Sequence, residues 1–137
     1  MKIVVDTNIV LDTLACREPF FEQSQLVMQF IAEGKADGAI TANAITDIYY
    51  ILRKHLDKDS LKAALRGLME LLDIIAVTED ECLAALDLPV SDYEDALLSC
   101  CAGRWKADYI VTRNIKDFPH STVKAITPAD FLKIIQS

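Results

Sequence analysis

Acidic and amide side chains stand where two apolar runs of this chain end. Asp6 directly follows the run from Ile3 to Val5, while Asn114 and Asp117 follow the run from Tyr109 to Val111. Short apolar runs of this kind are typical of buried strands. In parallel sheets, ligands bind just beyond the carboxyl ends of the strands. These side chains are therefore candidates for a site at one edge of a sheet.

Two further acids lie in segments with helical spacing. Asp47 stands between two isoleucines, and Asp95 directly precedes an Ala-Leu-Leu run. An unpaired buried carboxylate is costly, so each of them needs a cation or another partner. Asp92 and Glu94 are interpreted mainly as structural, because they follow Ser91 at the start of a helix and favour its dipole. Ser91 and Glu94 also fit a capping box.

Carboxylates that meet at one sheet edge repel one another unless a divalent cation binds between them. The four candidate ligands are Asp6, Asp47, Asp95 and Asp117. Oxygen donors without His or Cys suit Mg²⁺ or Mn²⁺, and such a site activates water for attack on a phosphodiester. Four other side chains could contact water or phosphate at this edge: Asn8, Thr112, Arg113 and Asn114. For Arg113 we expect a bidentate phosphate contact.

Composition limits the function classes. The chain has 137 residues, just over half of them hydrophobic, which fits one domain over residues 1–137. Its net charge of -7 counts against nucleic-acid binding unless the acids cluster around a cation. The four cysteines form no C-x-x-C pair, so a zinc site is not expected. Free thiols, no membrane-spanning run and no signal peptide predict a cytoplasmic protein.

Strand-like and helix-like segments alternate along the chain, which predicts a parallel sheet with helices on both faces. The predicted strands are Ile3 to Val5, Ala39 to Ile40, Ile74 to Val77, Tyr109 to Val111 and Val123 to Ile126. The predicted helices are Phe20 to Glu33, Ala44 to His55, Leu61 to Leu72, Ala96 to Trp105 and one opening at Thr127-Pro128. A capping box is predicted at Thr78 to Glu81.

Four segments together resemble the PIN domain family in order and spacing: "VVDTNIVLD", "TANAITDIYYIL", "DYEDALLSCCA" and "ADYIVTRNIKDF". The resemblance covers nearly the whole chain. It implies a Rossmann-like three-layer α/β/α sandwich with a central, mainly parallel sheet of four to five strands. It also implies a Mg²⁺- or Mn²⁺-dependent endoribonuclease that hydrolyses RNA. Many small members are VapC-like toxins of bacterial toxin–antitoxin pairs, so a small antitoxin partner and a homodimer are expected.

Carried over by position, the family's metal-binding acids are the four candidates above, with Asn8 and Asn114 in support and Thr112 orienting its neighbours. Asp92 ranks below Asp95. The family usually has Glu where this chain has Asp47, which is one methylene shorter. Two alternatives stay open: a catalytically weak or silent module that binds RNA or a protein, and a haloacid-dehalogenase-type phosphatase. The phosphatase chemistry requires a second Asp two residues after Asp6, where this chain has Asn8.

Overall fold

The fold is built on one five-stranded parallel sheet. It was determined as a computed structural model that describes residues 1–137. The strands are β1 (Lys2–Val5), β2 (Asp37–Thr41), β3 (Asp73–Ile75), β4 (Tyr109–Val111) and β5 (Lys124–Ile126), and their order is β3-β2-β1-β4-β5. In the central strand, Ile3 pairs with Gly38 on one side and with Tyr109 on the other. The predicted parallel sheet is confirmed.

Seven α-helices connect and cover the strands. They are α1 (Thr7–Leu14), α2 (Phe21–Ala32), α3 (Ala42–Leu52), α4 (Lys58–Leu71), α5 (Glu79–Asp87), α6 (Tyr93–Trp105) and α7 (Pro128–Gln136). A single 3₁₀ turn, Ile115–Asp117, follows β4. None of the helices combines the length and apolar character that a membrane crossing requires.

Alternate residues of β1 divide the core into two layers. Ile3 and Val5 belong to a cluster with buried residues of α1, α2, α3, α4 and α7, while Val4 belongs to a second cluster with α5 and α6. All three side chains are almost completely buried, as expected for a central parallel strand covered on both faces. The three-layer α/β/α architecture implied by the family resemblance is thereby confirmed.

Helix α1 was missed in the sequence. It begins immediately after Asp6, whose extended backbone (φ -64°, ψ 145°) places it at the N-cap position. Asp-Thr-Asn favours turns and helix starts alike, because short polar side chains hydrogen-bond nearby amides in both. The apolar stretch Ile9, Val10 and Leu11 is too short to show a helical period on its own.

Two capping predictions had different outcomes. The capping box of Thr78 and Glu81 is present at the start of α5, as predicted. The box predicted for Ser91 and Glu94 is wrong, because the N-cap of α6 is Asp92, whose carboxylate accepts a hydrogen bond from the Asp95 amide at 3.3 Å. The helix therefore begins one residue later than the pattern indicated, and Glu94 is free to point elsewhere.

The strand order defines a switch point between β1 and β4. From the central strand β1, the chain adds β2 and β3 on one side and then β4 and β5 on the other. The Asp6 amide donates to the Val111 carbonyl at 3.0 Å, which joins the ends of the two strands. A crevice at the carboxyl ends of the strands on either side of such a switch is the ordinary ligand site of an open α/β sheet.

Candidate active site at the switch point of the sheet

A cavity of about 420 Å³ opens at the switch point, and its wall is strongly acidic. Six carboxylates line it: Asp6, Asp47, Asp92, Glu94, Asp95 and Asp117. No Lys or Arg is among the fourteen lining residues. The structure thus brings together all four of the acids selected as candidate metal ligands, from the end of β1, from α3, from α6 and from the 3₁₀ turn.

Asp6 is held at the rim by the loop that follows β4. The fully buried Thr112 donates its hydroxyl to Oδ2 of Asp6 at 2.8 Å, and the Asn114 amide donates to the same hydroxyl oxygen at 3.1 Å. Strand β1 and the loop after β4 are therefore joined at the site through Thr112. These hydrogen bonds are compatible with the orienting role that the family resemblance implied for Thr112.

Burial raises the pKa of Asp6 above its ordinary value, and the nearby charge of Asp117 raises it further. The hydrogen bond from Thr112 opposes this shift, because it stabilises the ionised carboxylate. The backbone amides of Thr7 and Asn8 at the start of α1 also lower the pKa of Asp6, although neither makes a well-formed hydrogen bond to its side chain.

The first turn of α6 carries two carboxylates with raised pKa values, Glu94 and Asp95. Burial, followed by the charges of Asp92, Asp117, Asp6 and Glu94, raises the pKa of Asp95 to about 7. The pKa of Glu94 is also raised, chiefly by burial and then by the neighbouring Asp47 carboxylate. Carboxylates whose pKa values are raised by burial and by neighbouring charges are typical of functional sites.

Glu94 and Asn43 are among the lining residues that were not selected from the sequence. Glu94 was interpreted as serving the helix dipole, but its side chain lines the cavity beside Asp47. Asn43 also lines the cavity, and its buried Oδ1 has no hydrogen-bond partner. The signal for Asn43 was its place two residues beyond the end of β2, at the same sheet edge as Asp6.

The four predicted supporting residues lie in different surroundings. Asn8 lines the cavity with the acids. Thr112 contacts Asp6, and Asn114 reaches Thr112 through its backbone amide. Arg113 lies outside the cavity and makes its bidentate contact with Asp12, at 2.8 and 3.3 Å. The position of Arg113 gives no support to the predicted phosphate contact, and we leave this residue out of the proposed site.

The family model of the PIN domain matches residues 2–116, which are most of the chain. The matched range includes three of the four selected acids and ends one residue before Asp117. This chain belongs to the PIN domain family. The family assignment agrees with the fold, with the switch-point cavity and with the four sequence segments that pointed to it.

Known proteins similar to this PIN domain include one that is named as a ribonuclease and several solved structures. Ribonuclease VapC1 of Aquifex aeolicus is 25% identical over 135 residues, which cover 95% of this chain and 92% of the relative. The FitAcB structure from Neisseria gonorrhoeae has a TM-score of 0.71 at 15% identity and covers 93% of this chain and 98% of its own. VapBC-1 of nontypeable Haemophilus influenzae has a TM-score of 0.66 at 17% identity, with coverages of 94% and 99%. The two structures share the fold with this PIN domain.

The donor set of this PIN domain fits a hard divalent cation that is bound partly through water. No three of its acidic, His or Cys side chains are placed to hold one ion in common. Mg²⁺ ordinarily takes one or two carboxylates directly and keeps several waters. The unpartnered Oδ1 of Asn43 is an acceptor suited to such a water. Repelling carboxylates with an orphan acceptor among them therefore agree with a hydrated Mg²⁺ or Mn²⁺.

Asp95→Asn should stabilise this PIN domain at pH 8 in the presence of chelator. The folded pKa of Asp95, about 7, is raised above the unfolded value of about 3.9. The Asp95 carboxyl therefore leaves the free energy of unfolding unchanged below pH about 4 and lowers it increasingly as the pH rises towards 7. Without screening, this pKa difference corresponds to a loss of about 4 kcal/mol in the free energy of unfolding. Solvent screening at this partly exposed residue reduces our expectation to about 1–2 kcal/mol.

Urea unfolding at pH 4 and pH 8 checks this expectation, with Asp57→Asn as the control. Asp57 is an exposed N-cap whose pKa is lowered by hydrogen bonds from Ser60, so its ionised form stabilises the protein above the unfolded pKa. The control should gain no stability at pH 8. Added Mg²⁺ should stabilise Asp95→Asn less than the parent. An Asp95→Asn protein that is less stable at pH 8 yet retains the full Mg²⁺ response would contradict the placement of Asp95 in the site.

Proposed function

We propose that this protein is a Mg²⁺- or Mn²⁺-dependent endoribonuclease that acts as the toxin of a toxin–antitoxin pair. The observation that carries the proposal is the cavity at the switch point, which is lined by six carboxylates and by no basic residue. Membership of the PIN domain family and the likeness to a named ribonuclease over nearly the full length support it.

In the proposed site, the acidic residues differ in how directly they would hold the cation. Asp6 and Asp95 would hold the cation most directly, because they lie on rigid elements and have raised pKa values. Asp47 and Asp117 would act through water. When bound, the ion supplies an activated water and offsets the charge that develops on the phosphate. Asp47 stands at the position where the family usually has Glu, and Glu94 adds a longer acidic side chain beside it.

Purified protein should cleave single-stranded RNA in Mg²⁺ or Mn²⁺, stop when excess chelator is added, and resume when the metal is restored. The physical reason is that the repelling carboxylates cannot approach a phosphodiester without a cation between them. Gel analysis of a labelled RNA over time, with DNA of the same sequence alongside, measures this. Cleavage that persists in chelator would overturn the metal mechanism. A folded protein that binds RNA or a partner without cleaving RNA would favour the silent module.

The proposed partner is a small antitoxin that inserts a basic side chain between Asp6 and Asp95. One structural neighbour, from Klebsiella pneumoniae, is named as a toxin–antitoxin complex, and others are named as VapBC or FitAB. An acidic cavity that is lined by no Lys or Arg of this chain offers strong charge complementarity to an inserted Lys or Arg. We also propose a homodimer located in the cytoplasm, where an RNA target and an antitoxin would both be present.

Co-expression from the native operon tests the antitoxin. A small protein should co-purify with this chain, and the complex should not cleave RNA. The chain expressed alone should arrest growth, while an Asp6→Asn chain expressed to the same level should not. Recovery of the chain alone from the operon, together with normal growth on overexpression, would contradict a toxin–antitoxin pair.

A further inference from the structure

The acidic cavity by itself repels its proposed substrate. Its wall carries six carboxylates and no Lys or Arg, and the whole chain has a net charge of -7. One divalent cation offsets only part of that charge, while RNA brings one negative charge with each nucleotide. A ribonuclease of this kind therefore needs a second source of affinity close to the cavity.

Tyr50 is placed to provide that affinity. It lines the cavity from α3, yet 52% of its surface is exposed. The ring of Tyr49 meets it edge-to-face, with centroids 5.7 Å apart and planes at 85°. Its neighbour one turn later, Arg53, lies with its guanidinium carbon 4.7 Å from the Tyr50 ring centroid. An exposed aromatic ring that contacts a second ring and a guanidinium offers a stacking surface at the mouth of the cavity.

This surface has the chemistry of a nucleotide subsite. Aromatic rings bind unstacked bases of single-stranded nucleic acid whatever their sequence, and arginine adds both a cation–π contact and a phosphate contact. We propose that Tyr50 and Arg53 form a subsite for single-stranded RNA, in which one base stacks on Tyr50 and the adjoining phosphate contacts Arg53. The subsite rests on the proposed ribonuclease function and would hold one unpaired nucleotide of the RNA beside the cavity.

Charge favours RNA over a protein partner at this subsite. A strand of RNA would present one phosphate to the cation in the cavity and another to Arg53 at the rim, so that each negative charge meets a positive one. A basic antitoxin side chain directed to the same place would be repelled by Arg53. Tyr93 is also exposed, but its hydroxyl donates to the Cys82 carbonyl at 2.7 Å and it does not line the cavity.

The test compares KM and kcat for cleavage of one single-stranded oligoribonucleotide in Mg²⁺. Tyr50→Ala should raise KM about tenfold and leave kcat within about twofold, because stacking contributes to holding the strand. Tyr50→Phe keeps the ring and should match the parent, and Tyr93→Ala is the control for loss of an exposed tyrosine. An unchanged KM in Tyr50→Ala would overturn the subsite.

Salt dependence tests Arg53 separately. Arg53→Ala should weaken binding of the same oligoribonucleotide and reduce the slope of log affinity against log salt by about 0.7, the value for one phosphate contact on a single strand. Arg66→Ala removes the same charge from an exposed arginine of α4 outside the cavity and should leave the slope unchanged. An Arg53→Ala slope equal to that of the parent would remove the phosphate contact from the proposal.

Failure of the subsite is distinguishable from failure of the ribonuclease. If the parent does not cleave RNA, fluorescence anisotropy of the labelled oligoribonucleotide in Mg²⁺ still compares the parent with Tyr50→Ala. A loss of about tenfold in affinity would then support the subsite in a non-catalytic protein. Equal affinities, or a parent that does not bind RNA, would overturn it. Weaker capture of the co-expressed antitoxin by Tyr50→Ala, with RNA binding unchanged, would assign the surface to the protein partner instead.

Discussion

Replacing Arg113 by methionine should lower the free energy of unfolding by about 3 kcal/mol, the largest effect on stability that we expect from a single change. Asp12 is completely buried in α1, and the Arg113 guanidinium makes a bidentate contact with it at 2.8 and 3.3 Å. Without Arg113, only the Ser24 hydroxyl at 3.1 Å and a distant Arg17 at 4.0 Å face the Asp12 charge. A buried carboxylate that loses its partner is strongly destabilising.

Urea unfolding at pH 7 measures this effect, and two further variants identify its cause. The double variant Asp12→Leu with Arg113→Met removes both charges and should recover most of the lost stability, because a buried ion pair and an apolar pair often differ little. Arg66→Met removes an exposed arginine that forms no ion pair and should change stability by less than about 0.5 kcal/mol. If Arg113→Met stays within about 1 kcal/mol of the parent, the ion pair is not what holds this loop.

The ion pair of Asp12 and Arg113 also affects the candidate active site, because Arg113 belongs to the loop that contacts Asp6. Arg113 lies between Thr112, which donates to Asp6, and Asn114, whose amide donates to Thr112. Its guanidinium also lies 3.8 Å from the ring centroid of Phe20, which adds a cation–π contact beside α2. Anchoring Arg113 to Asp12 thus fixes the loop that orients Asp6.

Asp6→Asn should reduce the rate of RNA cleavage at least about 100-fold, because it removes a carboxylate placed to hold the cation. Asparagine has the same shape, and its amide oxygen can still accept the hydrogen bond from Thr112. The fold should survive the change, since burial raises the pKa of Asp6 and its ionisation therefore destabilises the metal-free protein at neutral pH. Loss of activity with stability kept or increased would show that the carboxylate serves chemistry and not folding.

The sheet and the four acids could be predicted because their signals are local. An apolar run that ends in Asp6 or leads to Asp117 places a carboxylate at a strand end, whatever the rest of the chain does. Asp47 and Asp95 were identifiable from their apolar neighbours, since a carboxylate near a core must have a partner. The parallel arrangement followed from the alternation of strands and helices.

The partners of Arg113 and Glu94 could not be predicted, for two different reasons. Asp12 is 101 residues away from Arg113 along the chain and lies in α1, the helix whose start resembles a turn. Only tertiary packing brings the two together. Glu94 was misinterpreted because Ser91 and Asp92 are both good N-cap residues, and the choice of Asp92 moved the helix start by one residue. With Asp92 as N-cap, the Glu94 carboxylate is not tied to the start of the helix as the capping box would have required, and it lies in the cavity.

The most direct test of the central claim is the initial rate of RNA cleavage as a function of Mg²⁺ concentration, for the parent, Asp6→Asn and Asp73→Asn. Asp73 is an exposed acid at the first residue of β3, outside the cavity, so its loss changes the net charge equally but leaves the site intact. The account predicts no cleavage without metal, saturating cleavage for the parent and Asp73→Asn, and at least about 100-fold slower cleavage for Asp6→Asn at every Mg²⁺ concentration. Equal rates for Asp6→Asn and the parent would contradict it.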